Sequence, residues 1–281
     1  QYWNTPHFEK MLYDNALLSM IYLKAWQTTK NPFFKDIAKQ TLDWTIKEMK
    51  NTQGGFYSSQ DAESEGEEGT YYTWTKDEVI KTLGQRDEEI FSKHYGVTGE
   101  GNFEKQRNIL HVTKKTKEIA LELGISENNI IQIINKSKKK LLKQRNNRIK
   151  PATDDKILTS WNGMIISALA KAYQILEDKQ YLKAAEETAD FIINNLLNED
   201  ELFRRWRDGE AAIEGLLEDY AFMVMGLIDL YESNFDVSKI ETAIKLNQVM
   251  INRFMDKDDY GFLSTKHDKT DIITRVKDAY D

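Results

Sequence analysis

Three segments of this chain repeat one pattern: a helix apolar nearly all round, an amphipathic helix, and an aromatic-centred stop. The first runs from DNALLSMIYLKAW (14–26) to a helix with Phe34, Ile37, Ala38, Leu42 and Met49 on one stripe, and stops at GGFYS. The second runs from WNGMIISALAKAY (161–173) through Leu182, Ala185, Ala189, Ile192 and Leu196 to ELFRRW. The third runs from DYAFMVMGLIDLY (219–231) through Ile240, Ala243, Ile244 and Met250 to YGFLS. Asn15 to Phe56, Asn162 to Phe203 and Tyr220 to Phe262 span 41, 41 and 42 residues. A recurring interval of this size marks helical hairpins. A helix apolar on every side must be covered on every side, whereas an amphipathic one keeps a wet face. Alternating the two suits two concentric layers, so the expected fold class is all-α, an α/α toroid. TPR or HEAT solenoids compete, but their hairpins take about 34–47 residues, and here the second and third start 58 residues apart.

One interruption separates the first hairpin from the second. The chain is expected to form one toroid domain over 1–281, with an inserted β-hairpin and helical excursion at about 55–150. Residues 55–58 and 70–74 are predicted strands joined by an acidic loop holding Asp61, Glu63, Glu65, Glu67 and Glu68. Residues 76–96 predict two short helices, the first with Thr75 and Glu78 at capping-box spacing, and residues 126–148 predict a helix with a basic tail, KSKKKLLKQRNNRIK. The acidic loop opens like an EF-hand, which needs a bidentate carboxylate at its twelfth position. Counting from Asp61, that residue is Tyr72. The EF-hand reading fails, leaving a lid or site wall carrying Asp61 or Glu63, a solvated turn, or a site for a hard cation with oxygen ligands.

Composition removes several function classes. A net charge of −7 argues against general nucleic-acid binding, so the basic tail is read as solvated or paired within the chain. With no cysteine, thiolate metal sites and cysteine nucleophiles are excluded, and a cytoplasmic setting is natural. No apolar run reaches transmembrane length, no signal peptide is visible, and an opening Gln1 suggests a fragment or processed product. No cofactor or metal is expected, since there is no phosphate loop and no complete metal motif.

The stretches PHFEKMLYDNALL, GGFYSSQDAESEGEEGTYYTW, GNFE, RNILH, PATDDKILTSWNGMIISALA and LEDYAF together resemble the YyaL / spermatogenesis-associated protein 20 family. The resemblance implies a six-hairpin, glycosidase-like (α/α)6 toroid, of which this chain is the central and incomplete part. It also implies a thioredoxin-like domain, absent here, as a partner within the full-length protein. Sugar epimerases and glycoside hydrolases share that fold, so a carbohydrate ligand is the expectation by analogy.

Candidate site residues cluster at the inner-helix starts, YDN, SWN and EDY. Asp14 and Ser160 are read first as helix caps. Trp161, Asn162 and Tyr220 are candidate sugar-binding side chains, an aromatic with a polar edge suiting a sugar ring. The resemblance adds His7, Glu9, Asp154, Asp155 and the arginines of RRWRDG, among which Arg205 and Arg207 suit an anionic group. Asp155 and Asp219 form the candidate acid/base pair; a separation of about 5 Å or about 6.5–9.5 Å would distinguish retention from inversion. His7, with His111 second, is the candidate base for an epimerase, and Asp61 a further catalytic candidate from the acidic loop. The competing reading is a non-catalytic scaffold that presents a ligand or protein to the thioredoxin-like domain.

Overall fold

The computed structural model describes residues 5–268 and 273–277. Among them are α1 (Leu12–Thr29), α2 (Pro32–Met49), α3 (Lys76–Leu83), α4 (Gln85–Tyr95), α5 (Thr116–Leu123), α6 (Glu127–Arg145), α7 (Thr159–Leu176), α8 (Lys179–Leu196), α9 (Leu217–Asn234) and α10 (Val237–Phe254). Contacts divide the chain into two compact units, one of residues 10–60 with 153–281 and one of 1–9 with 61–152.

The first unit holds the three hairpins, α1/α2, α7/α8 and α9/α10. One turn serves all three. Each inner helix ends on a left-handed residue, Lys30, Glu177 or Phe235 (φ 55°, 58° and 58°). The next residue, Asn31, Asp178 or Asp236, then caps the outer helix by accepting from a backbone N–H two residues on. Short Asx side chains do this because their oxygen reaches the free donors of a first helical turn. After each outer helix the chain doubles back, pairing Lys50 with Phe56, Leu197 with Leu202, and Met255 with Phe262.

α7 is the centre of this unit, packed by α1, α8 and α9. Residues 164–170 are buried without a break, as the all-round apolar pattern requires. α7 and α9 approach closely because two glycines face each other's backbone. A Cβ at Gly163 would lie 2.5 Å from the Phe222 carbonyl, and one at Gly226 would lie 2.5 Å from the Gly163 oxygen. α1 differs from expectation. It buries Leu12, Ala16, Ser19 and Leu23 but leaves Leu17, Leu18 and Ile21 exposed, because it packs chiefly against α2 and α7. A short sheet pairs Lys10–Met11 with Ser59–Gln60 and that with Thr153–Asp154. A second joins Ile157–Leu158, Leu197–Asn198 and Glu210–Glu214 to the strand Glu201–Arg207.

The other unit packs α3–α6 around two small cores, one containing Trp74, Phe91 and Leu141 and one containing Ile90, Ile119, Ile130 and Ile134. The Thr75/Glu78 capping box forms, with Glu78 N–H to Thr75 at 3.2 Å and Thr75 N–H to Glu78 at 2.8 Å. The acidic segment corrects the sequence reading. It does not join two strands; it is itself a hairpin, Glu63–Ser64 against Glu67–Glu68, turned at Glu65–Gly66 with φ 59° and 79°. Positive φ at both turn residues is the geometry of a tight two-residue connection. Of residues 70–74, expected as a strand, 70–72 form a turn and only Trp74 makes a bridge, to Asn108. Their carbonyls point at Arg148, whose guanidinium donates to the oxygens of Thr70, Tyr71 and Thr73 at 3.1, 3.0 and 2.8 Å. Carbonyls converging on one cation cannot also serve a β-ladder. The helix predicted over 126–148 ends at Arg145. Of its basic tail, Lys140 pairs with Asp87 at 3.6 Å and Arg148 with Glu78 at 3.1 Å, while Lys138 and Lys139 stay exposed.

No helix among the described residues is long and apolar enough to cross a membrane.

Candidate functional site

At the starts of α7 and α9, three of the candidate residues are engaged with the scaffold. Asn162 is wholly buried. Its Oδ1 accepts from the Phe56 N–H at 2.9 Å, and its Nδ2 donates to the carbonyls of Phe56 at 3.0 Å and Leu158 at 2.9 Å. Tyr220 is equally buried against Phe254, its hydroxyl accepting from the Leu202 N–H at 3.0 Å. Asp219 has no exposed surface either. One of its oxygens accepts from the Ser160 N–H at 3.0 Å and the other from the Leu216 N–H at 2.9 Å.

That arrangement explains how α7 starts. The N-cap positions of α1 and α7 are Met11 and Leu158, neither of which makes a side-chain cap bond. Ser160 instead presents its N–H to Asp219, which thereby serves the first turns of two helices. Burial pushes the Asp219 carboxyl up to about 6, against the downward pull of the Leu216 N–H, of Arg204 and of the Ser160 N–H. Arg204 lies 3.5 Å from Asp219 and also pairs with Glu218.

Asp155, Trp161, Arg205 and Arg207 keep surface open to solvent. Asp155 lies 2.8 Å from the Arg207 Nε, an ion pair without hydrogen-bond alignment, with the two side chains 44% and 46% exposed. The strand Glu201–Arg207 alternates faces. Leu202 is buried and Trp206 stacks edge-on against Phe191 at 5.3 Å, so Arg205 and Arg207 share the opposite face. Arg205 stands across from Leu158, the residue before α7, and its side chain has no hydrogen bond or ion pair among the described residues. Trp161 is half-buried in the first turn of α7, edge-to-face with Tyr13 of α1 at 4.8 Å. Tyr13 was not among the sequence candidates; its place in YDN, the same triplet that supplied Asp14, was the available signal.

His7 and Asp61 belong to the other unit. His7 is exposed, while its neighbour Phe8 is buried beside Tyr72 and Phe103. Asp61 is exposed, and its Oδ1 accepts from the Glu63 N–H at 3.0 Å, a local turn bond. Among the described residues no three histidine, aspartate or glutamate side chains gather in a group fit for a metal ion.

Comparison with known proteins places the chain. Spermatogenesis-associated protein 20 of Rattus norvegicus is 32% identical over 314 residues, spanning 99% of this chain, and the Homo sapiens protein is 31% identical over the same span. This chain is a homologue of spermatogenesis-associated protein 20. It covers 40% of the length of those relatives. An uncharacterized protein of Caenorhabditis elegans is 29% identical over 98% of the chain. No family model matches. Among solved structures, cellobiose 2-epimerase from Spirochaeta thermophila superimposes with a TM-score of 0.56 at 10% identity, covering 92% of this chain and 47% of that one. An unsaturated glucuronyl hydrolase specific for heparin does so with 0.51 at 12%, covering 91% and 50%. At such identities the likeness concerns the fold, which is the mostly helical, six-hairpin glycosidase-like one that the resemblance implied.

Proposed function

We propose that this chain is part of a carbohydrate-processing protein, and that the face carrying Asp155, Arg205, Arg207 and Trp161 receives the sugar. The observation behind this reading is the solvent-accessible pair of Arg207, on the strand Glu201–Arg207, with Asp155, which precedes the paired strand Ile157–Leu158 leading into α7. The fold it shares with an epimerase and a glucuronyl hydrolase adds support. Trp161, braced by Tyr13, offers an aromatic surface against which a sugar ring can stack. Arg205, unengaged, and Arg207 suit a carboxylate or a pair of hydroxyls, which a planar guanidinium binds through two parallel donors. Asp155 is the acid/base group, paired with Arg207 until a ligand displaces that arginine. Asp219 acts through position, holding the α7 and α9 starts in register. His7 and Asp61 remain candidates on the other unit, tested by His7→Gln and Asp61→Asn.

A second reading, the non-catalytic scaffold working with a thioredoxin-like domain, draws on the exposed Leu17, Leu18 and Ile21 of α1. One experiment separates the two: the full-length protein is assayed against a panel of neutral and uronic-acid sugars, alongside Asp155→Asn and His7→Gln. Turnover that falls about a hundredfold or more in Asp155→Asn, with unchanged folding, supports the acid/base role. Turnover lost in His7→Gln with deuterium entering the sugar from solvent supports epimerisation. Absence of turnover and of binding across the panel favours the scaffold.

A further inference from the structure

One cavity among the described residues lies away from the inner-helix starts. It lies within the unit of residues 61–152, has a volume of about 610 Å³, and is lined by Trp74, Phe91, Tyr95, Leu110, Leu141 and Leu142, with Asn135, Lys138, Lys139 and Arg145. That volume falls in the range of small-molecule sites, about 300–1,000 Å³.

Its chemistry is one-sided. Trp74 and Phe91 are nearly wholly buried and form an apolar floor. α6 supplies the wall with residues 135, 138, 139, 142 and with 141, 145, positions three and four apart that share a helix face. Three of these are cations, and no carboxylate lines the cavity. Lys138 and Lys139 make no ion pair among the described residues, although Lys140 beside them does. Arg145 lays its guanidinium over the rings of Tyr71 and Tyr72 at 5.1 and 5.4 Å, and its Nε is buried without an acceptor. Three cations without a carboxylate among the lining residues, at the rim of an apolar cavity, are a place for an anion.

We propose that this cavity is a binding site for an organic anion with an aromatic or aliphatic body, the body entering against Trp74 and Phe91 and the acid group meeting Lys138, Lys139 and Arg145. This goes beyond the sugar reading and rests on different residues. The test uses the whole chain and the fluorescent probe anilinonaphthalene sulfonate, displaced by phenylbutyrate or by its neutral analogue phenylbutanol. Two variants at exposed positions are compared, Lys138→Gln/Lys139→Gln and Leu142→Glu. The expected result is one saturable site at which phenylbutyrate competes about tenfold better than phenylbutanol, with the lysine double variant weakening the anion about tenfold while the alcohol is unaffected, and Leu142→Glu weakening the anion more than the alcohol. If Leu142→Glu perturbs folding, the lysine double variant decides. No saturable site, a site indifferent to the lysine changes, or equal displacement by the alcohol would overturn the proposal.

Discussion

Asn162 holds Phe56 as a neighbouring strand would: one side-chain amide makes both backbone bonds across 106 residues of chain. The strand-like stop after the first hairpin is thereby tied to the start of the second inner helix, and no solvent reaches either partner.

Asn162→Ala leaves a buried N–H and a buried carbonyl without partners. Each orphaned group costs about 1–3 kcal/mol, so urea denaturation should show a loss on the order of 2–4 kcal/mol. Asn162→Asp keeps the acceptor but not the donor and should lose a comparable amount. Stability within experimental error of the parent in both variants would show that the clamp contributes nothing.

Gly163 is required by the approach of α9. A methyl at this position would meet the Phe222 backbone at 2.5 Å, and neither helix can yield without disturbing α1 and α8 around them. Overpacking of this kind costs about 1–3 kcal/mol, so Gly163→Ala should lower the melting temperature. Gly99→Ala serves as the control, since a Cβ there meets nothing within 4 Å. Equal melting temperatures for the two variants would contradict the close approach of the helices.

Asp219 should leave a mark on the pH dependence of folding. Its carboxyl is raised from 3.8 to about 6 in the folded chain, so the folded state holds this proton more tightly than the unfolded state does. The associated stability is present below pH 3.8 and is lost as pH rises through about 6. The stability of the parent relative to Asp219→Asn should therefore be greater at pH 4 than near pH 6.5. A difference that is flat across that window, or rises with pH, would mean that the N–H donors and Arg204 outweigh burial.

Arg148 is expected to organise residues 70–74. Besides the three carbonyls it pairs with Glu78 at 3.1 Å, and it stacks over Trp74 at 4.0 Å. Arg148→Lys keeps the charge but loses the planar fork, and should cost on the order of 2 kcal/mol. Hydrogen exchange should accelerate at residues 70–74 before the rest of that unit. Uniform exchange across the unit in Arg148→Lys would argue against a local role.

The helical architecture was legible in the sequence because its cause is local. Whether a helix is apolar all round or on one side is written in residues three and four apart, and α7 buries as its composition demands. The turns were legible too, had Lys30–Asn31, Glu177–Asp178 and Phe235–Asp236 been compared in register. Backbone angle and cap are set by adjacent residues. The acidic hairpin and the 70–72 turn were misread because a run of aromatic and β-branched residues scores as strand, while the arginine that bends it lies 75 to 78 residues further on. The site divides along the same line. Sequence analysis could pick polar residues at the helix starts, but not which of them face solvent. Burial of Asn162, Asp219 and Tyr220 comes from the packing of α7 on α9, and exposure of Arg207, with Asp155 beside it, from the face of a strand whose partners are distant in sequence. A side chain's identity sets what bonds it can make; whether a ligand or the protein's own backbone receives them is decided by the neighbours that folding brings within reach.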